Sequence, residues 1–303
     1  MIDEVLVASF LAAAVRVATP LLLAALGELL VERGGMINLG IEGAMLAGAL
    51  GGALGASGGG VWLGAGSAML AGALTATVFA WVAIGLRGDQ IIAGTAVTLG
   101  AVGITGVIFR EAFGAVGPGL TLPTFRPLRL PLLSDLPLLG EALFAQPAPT
   151  YVAALLVPLC WWALFRTHWG LSLRAAGEAP EAATATGVPV RRLRATATLL
   201  GGVLAGLGGG TLVLAQVGTF AEKMTAGRGF IAIAIVVLGR WHPVWVLGAS
   251  LLFGLATALQ FLFQAAGLRA PYQLFLMLPY GLALLALAGG MGRSRAPEAL
   301  GRG

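Results

Sequence analysis

The stretch Glu32-Arg33-Gly34-Gly35-Met36-Ile37-Asn38-Leu39-Gly40-Ile41-Glu42-Gly43 sets the terms for reading this chain. Asn38 and Glu42 stand one helical turn apart, among apolar neighbours and between glycines. Four glycines in ten residues favour an interrupted helix over a continuous one. The surroundings are apolar along the whole chain: 58% of its 303 residues are hydrophobic, 10% are charged and 47 are glycine. Counting glycine with the apolar residues gives roughly 73%, against a usual ~45–50%. A 30.7 kDa chain of this composition lacks the polar surface to clothe a soluble globule, which excludes a water-soluble enzyme, a disordered chain and a nucleic-acid-binding domain. The expectation is an all-α polytopic membrane protein. At membrane depth a carboxylate faces a cavity or a partner rather than lipid, so Glu42 is a candidate for the path of a substrate. The plainer reading is that Asn38 and Glu42 cap backbone groups at the break; the two readings are compatible.

A second stretch of the same kind, Lys223-Met224-Thr225-Ala226-Gly227-Arg228-Gly229-Phe230, leads into a short apolar segment that ends at Gly239-Arg240. The two lie in opposite halves of the chain and enter segments expected to run in opposite directions. Transporters built from inverted repeats place interrupted helices in this relationship, with substrate near the breaks.

A template of about 20 apolar residues per crossing gives nine candidate segments: 5–30, 36–55, 62–86, 90–110, 150–166, 195–216, 226–239, 243–264 and 272–290. The run at 226–239 is short for a full crossing, and that at 36–55 is a candidate for a broken helix. Lys223 is the only lysine, so the pI near 10.3 comes from arginines at the ends of apolar runs. With the C-terminus inside and the N-terminus outside, the inner connections hold Arg33, Arg87, Arg174, Arg191, Arg192, Arg194, Arg240, Arg293, Arg295 and Arg302. The outer ones hold Arg126, Arg129, Lys223 and Arg269, so the excess of positive charge favours this orientation. The acidic start Met1-Ile2-Asp3-Glu4 lacks the basic region of a cleaved leader, so the first helix is expected to be retained. Arg16 lies inside that helix, with Glu28 as a conceivable partner.

The chain reads as a single transmembrane domain, 1–303, with two long connections. The outer one, 111–149, carries Pro118, Pro123, Pro127, Pro131, Pro137, Pro147 and Pro149, which forbid a long helix and predict an irregular extracytoplasmic cap. The inner one, 167–194, holds Pro180 and Glu181 in the pattern of a first helical turn and Gly187 in that of a stop, which predicts a short helix over 180–187.

Spacings such as Gly48…Gly52, Gly202…Gly206 and Gly206…Gly210 predict close helix packing. Gln90, Thr95, Thr98, Thr105, Gln216, Gln260 and Gln264 are more often interhelical glue than ligand contacts. Catalytic chemistry is missing. There is no Gly-x-x-x-x-Gly-Lys-Ser/Thr loop for ATP, and His168 and His242 form no metal-ligand cluster, so no metal site is expected. Gly55-Ala56-Ser57-Gly58-Gly59 matches a nucleophile motif formally, but both histidines fall on the other side of the membrane, so it is read as a glycine-rich turn. The lone Cys160 permits no intramolecular disulfide.

The run Glu32–Gly43 resembles the signature of permease subunits of ABC importers, in the family serving ribose and branched-chain amino acids. It is most similar to the nucleoside and simple-sugar branch. The inner stretch Gly177-Glu178…Pro180…Ala182-Ala183…Gly187-Val188, the run Met224–Phe230 and Phe253-Gly254 agree with it, and the resemblance spans about 16–290. It implies a permease that forms its pore with a second permease chain, like or unlike. It also implies two separate ATPase subunits, which hold the ATP and Mg that this chain lacks, and an extracytoplasmic binding protein. The implied location is a bacterial-type plasma (inner) membrane. The short inner helix matches the coupling helix that seats on the ATPase, with Gly177, Glu178, Pro180, Ala182, Ala183 and Gly187 as its residues. Ala179 stands where the family often has Asn. The favoured cargo is nucleosides, with simple sugars or branched-chain amino acids as alternatives. Stacking and amide contacts suited to nucleosides make Phe220, Phe230, Gln90 and Gln260 path candidates beside Asn38, Glu42 and Thr95. An ion-driven secondary transporter is less favoured, because Glu42 is the only strong candidate for an ion relay.

Overall fold

A computed structural model of the chain describes residues 4–114, 120–131, 133–134, 136, 139–265, 277, 281 and 296–301. In chain order the helices are α1 (Glu4–Arg33), α2 (Ile41–Gly59), α3 (Val61–Ala80), α4 (Gln90–Phe113), α5 (Leu139–Phe144) and α6 (Ala148–Arg166). They continue as α7 (His168–Glu178), α8 (Pro180–Ala185), α9 (Val190–Thr211), α10 (Arg228–Leu238) and α11 (Pro243–Ala265). Strands β1 (Pro127–Arg129) and β2 (Ala145–Pro147) pair antiparallel. α3 and α9 each run on through a wide π turn, closed by Leu86 N–H to Trp81 O and by Gly218 N–H to Val213 O.

Among the described residues, six helices are long and apolar enough to cross a membrane: Leu6–Arg33, Val61–Gly85, Gln90–Phe113, Ala148–Arg166, Val190–Val217 and Pro243–Gln264. They correspond to six of the nine expected segments. Of the others, 36–55 becomes α2 preceded by a non-helical elbow at 34–40, 226–239 becomes the eleven-residue α10, and 272–290 lies outside the described residues. Trp62 and Trp81, both largely exposed, bracket α3 about 28 Å apart by helical rise. That separation suits aromatic anchors at the two edges of a hydrocarbon layer.

The core forms around α9, against which α1, α2 and α3 pack. Glycine permits it: a Cβ on Gly206 would collide with the Ala68 carbonyl and lie 2.9 Å from Gly72 Cα, and one on Gly48 would meet the Gly206 backbone. Pro20 cannot donate to the Arg16 carbonyl one turn earlier in α1, and the Gln216 side chain supplies the missing donor at 2.6 Å. Gln216 is therefore interhelical glue, as the sequence predicts. Arg16 and Glu28 do not pair: twelve residues of one straight helix separate them by about 18 Å.

The connection 111–149 differs from an irregular cap. α4 runs to Phe113, and β1, β2 and α5 give local order to described residues beyond it, with Leu122 N–H and Phe125 N–H donating to the Gly218 and Leu214 carbonyls. Pro118 and Pro137 lie outside the described residues. The Ser57 region is also not a turn: it is the last turn of α2, and the reversal falls at Gly60, with φ +86°. The Ser57 hydroxyl donates to its own helix at Leu54 O.

Candidate functional site

The elbow between α1 and α2 is the irregular backbone that lipid would not tolerate unpaired. Gly35, at φ +82°, turns the chain back along α1. Several polar backbone groups around it find side chains. Ile37 N–H donates to Gln90 Oε1 (2.8 Å), Asn38 N–H to Glu28 Oε1 (2.9 Å), and Gly40 N–H to Asn38 Oδ1 (3.0 Å). The Leu39 carbonyl accepts from the Thr98 hydroxyl (3.0 Å), and the Gly34 carbonyl from Arg194 Nε (2.9 Å). Asn38 is the local cap that its spacing from Gly40 suggests.

Glu42, in the first turn of α2, reaches across to the start of α10. Its carboxylate accepts from the Thr225 hydroxyl (2.6 Å), Gly227 N–H (2.8 Å) and Gly229 N–H (2.6 Å). A carboxylate at a helix N-terminus satisfies donors that the helix cannot pair, and it meets the positive end of the dipole. Gly227 adopts φ +84°, and Gly229 lies so close to the Glu42 backbone that a Cβ there would come within 2.6 Å of Glu42 N. The two glycine-flanked stretches thus meet in space, joined by this one side chain. Glu42 caps α10 rather than its own helix.

The other end of α10 is held by α1. Trp241 donates its indole N–H to Glu32, and its carbonyl accepts from the Arg33 guanidinium. Arg240 and Trp241 both take a left-handed conformation, at φ 52°, which is costly for side chains with a Cβ and persists only where the surroundings hold it. At about 16 Å, α10 covers half of a ~30 Å hydrocarbon layer. Its two ends are tied on opposite sides of the elbow, Gly229 to Glu42 and the residues after Leu238 to Glu32 and Arg33. Replacing Trp241 by Phe is expected to lower stability by about 1–2 kcal/mol, because a buried Glu32 oxygen loses its donor. Thermal melting of the solubilised protein reads this.

Of the seven candidate path residues, Asn38, Glu42 and Gln90 are brought together at the elbow. Thr95 is exposed on α4, its hydroxyl bonded to Ile91 O. Phe220 is buried against Phe109, with ring centroids 4.9 Å apart, whereas Phe230 is exposed on α10. Gln260 is buried on α11. Residues whose contacts at this site the sequence did not foretell are Glu28, Glu32, Thr225, Trp241 and Arg194. Glu28 and Glu32 carry a signal, two acids one turn apart in an otherwise apolar helix, and both are about 1% exposed.

The connection 167–194 holds two helices where one was expected. The Thr167 hydroxyl accepts from Gly170 N–H and caps α7, and α8 follows over Pro180–Ala185. Ala179 precedes α8 without a side-chain cap. Gly187, at φ +84°, closes α8, with its N–H on Thr184 O and Val188 N–H on Ala183 O. Glu178, Ala182 and Gly187 are exposed, Pro180 is half-buried, and Ala183 and Gly177 pack inward. An open groove of about 920 Å³ runs beside α8, lined by Arg87, Glu178, Glu181, Ala182, Arg194 and Glu298 among others.

Arginines gather at this end of the bundle. Arg191 donates to the Ile84 and Gly85 carbonyls, Arg194 holds the elbow, and Arg33 and Arg174 lie over the Phe165 ring at 5.8 and 5.0 Å. His242 stacks on the same ring, 5.3 Å away, and its pKa is held below the ordinary histidine value by burial and by the nearby Arg33. At the opposite end Arg110 pairs with Glu222 at 2.7 Å; both are half-exposed, and such pairs contribute little to stability. Among the described residues no group of three His, Cys, Asp or Glu side chains is placed to hold a metal.

An apolar bundle, two interrupted helices joined by a buried carboxylate and a small helix pair exposed at the arginine-rich end are the architecture of a permease. The chain belongs to the family described as the branched-chain amino acid transport system permease component, whose model matches residues 10–287. It is a multi-pass membrane subunit of an ABC transport system, a transport component and not an enzyme. It is similar to the guanosine ABC transporter permease protein NupQ of Bacillus subtilis, 37% identical over 94% of this chain and 92% of that protein. It is 42% identical to the putative glucose ABC transporter permease protein TsgC13 of Haloferax volcanii, over 86% of this chain and 79% of that one. The nucleoside ABC transporter permease protein NupC of Lactococcus lactis is 35% identical over 93% and 92% of the two chains. No solved structure matches the chain.

Proposed function

We propose that this chain forms the translocation path of an ABC importer for nucleosides. The observation that carries the cargo is similarity to two permeases named for guanosine and nucleoside transport, each aligned over more than nine-tenths of both chains. A glucose reading has its own support in the higher identity to TsgC13, over a smaller share of each chain. In this proposal α8 seats on an ATPase subunit through Glu178, Pro180, Ala182 and Gly187, with Gly177 and Ala183 packing behind. Two such ATPases, which bind ATP and Mg, a second permease chain, like or unlike, and an extracytoplasmic binding protein complete the machine in a bacterial-type plasma membrane. The arginine-rich end faces the cytoplasm, as the distribution of positive charge favours, with the N-terminus outside and the C-terminus inside. The segment 111–149 then caps the outer face.

The path runs beside the α2–α10 junction. Glu42 holds the junction closed to lipid, and Asn38 and Gln90 shape the elbow below it. Phe230, exposed one residue beyond the capped Gly229, supplies a stacking face, and Thr95, Phe220 and Gln260 are further contacts along the path. Uptake of labelled nucleosides, glucose and branched-chain amino acids, in cells with and without this chain and with ion gradients collapsed, tests the reading. Loss confined to nucleosides is expected. Loss confined to glucose would move the cargo to the second reading, and wild-type uptake that stops with the ion gradient would overturn the ABC mechanism.

A further inference from the structure

Residues 296–301, distant in sequence from every element of the site, fold into a turn that touches two of its parts at once. Leu300 N–H closes the turn on Pro297 O (3.0 Å). From within it, Ala299 N–H donates to the Gly177 carbonyl (2.9 Å) at the end of α7, and Gly301 N–H to the Gly35 carbonyl (3.1 Å) in the elbow. Glu298 N–H approaches Glu178 Oε2 at 3.4 Å. Ala299 is 5% exposed, and Leu300 is partly buried against the main core. The fit is backbone to backbone. A Cβ on Gly177 would collide with the Arg33 carbonyl, and one on Gly35 would stand 3.4 Å from the Ala299 carbonyl.

Immediately before the elbow, Glu32 and Arg33 at the end of α1 hold Trp241, just beyond α10. A continuous line of contacts therefore runs from α8 through Gly177 and the 297–301 turn to Gly35, and from there to α10. At the turn the links to Gly177 and Gly35 are main-chain hydrogen bonds, and the last link, to Trp241, runs through the Glu32 and Arg33 side chains.

We propose that the 297–301 turn is a positioning element for energy coupling, stapling α7 and α8 to the elbow so that movement of α8 is delivered to α10. This rests on α8 being the ATPase-contacting helix. Ala299→Pro tests it: proline removes the N–H that reaches Gly177 and is disfavoured at the third position of the turn. The readout is substrate taken up per ATP hydrolysed, in liposomes holding this chain with its partner permease and ATPases. The ratio is expected to fall about tenfold, with hydrolysis still stimulated by substrate, because the buried Gly177 carbonyl loses its donor and the staple opens. Ala299→Gly keeps the N–H and is expected to retain the wild-type ratio. An unchanged ratio in Ala299→Pro, or hydrolysis and uptake falling in parallel as from simple loss of folded protein, would overturn the proposal. A wild-type complex that hydrolyses no ATP in response to substrate would instead overturn the reading of α8 beneath it.

Discussion

Glu42→Ala is expected to abolish uptake and to lower the stability of the solubilised protein by on the order of 2–4 kcal/mol. The wild-type carboxylate takes three donors at 2.6–2.8 Å, from the Thr225 hydroxyl and the Gly227 and Gly229 N–H groups. Alanine leaves all three unpaired in a buried setting, at the start of a helix too short to cross a membrane alone. Hydrogen bonds within membranes measure weaker than this setting suggests, about 0.6 kcal/mol each on average. The sum here exceeds three such bonds, because the donors belong to a helix terminus that has no other partner. Glu42→Gln retains one acceptor oxygen and should fall between wild type and alanine in both readouts. Thermal melting and uptake of the same preparations decide it. An alanine variant that melts and transports as wild type would remove Glu42 from the account.

The second large effect concerns coupling without loss of fold. Gly187 sits at φ +84° and ends α8, yet a Cβ there would meet nothing within 4 Å. Substitution by valine therefore carries backbone strain of roughly 1–2 kcal/mol and no steric collision within the chain. The protein should fold and reach the membrane in near-normal amounts. Relaxing the left-handed residue moves α8 and places a branched side chain on the surface that an ATPase would press. A misplacement worth more than ~1.4 kcal/mol in the transport step lowers uptake more than tenfold. Normal uptake by Gly187→Val at normal abundance would remove the coupling role of this position.

These two positions also mark how far the sequence alone carries. Gly34, Gly35, Gly40, Gly227 and Gly229 announce their breaks, because glycine within an apolar run has few other uses than close approach or unusual backbone conformation. The joining of the two stretches was legible as a relationship between halves of the chain. Its physical form, a carboxylate of α2 capping α10, was not, since the partner of a buried acid is set by packing between residues 183 or more positions apart. The same holds for Glu32 with Trp241, 209 positions away, whereas Glu28 meets the Asn38 backbone only ten positions on, where the chain folds back. Arg16 and Glu28 illustrate the opposite error. Complementary charge suggested a pair that helical rise forbids, and the Arg16 carbonyl, freed by Pro20, carries the useful contact. α7 was not expected, and it contains Gly170 and Gly177. Both are close-packing positions, Gly170 against the Ala163 and Leu164 carbonyls and Gly177 against that of Arg33. Order in the segment 111–149 was hidden for a related reason. Proline count limits helix length but says nothing of a three-residue strand pair closed by chain ends 18 positions apart.

The central claim is that this chain moves nucleosides by ATP-driven coupling. Reconstituting it in liposomes with its partner permease, ATPases and binding protein, and following labelled guanosine after trapping ATP on the ATPase side, tests the claim most directly. The account predicts guanosine accumulation that needs hydrolysable ATP, is indifferent to ionophores and is competed by unlabelled nucleosides but not by glucose. Accumulation that proceeds without ATP, or that glucose competes and nucleosides do not, would contradict it.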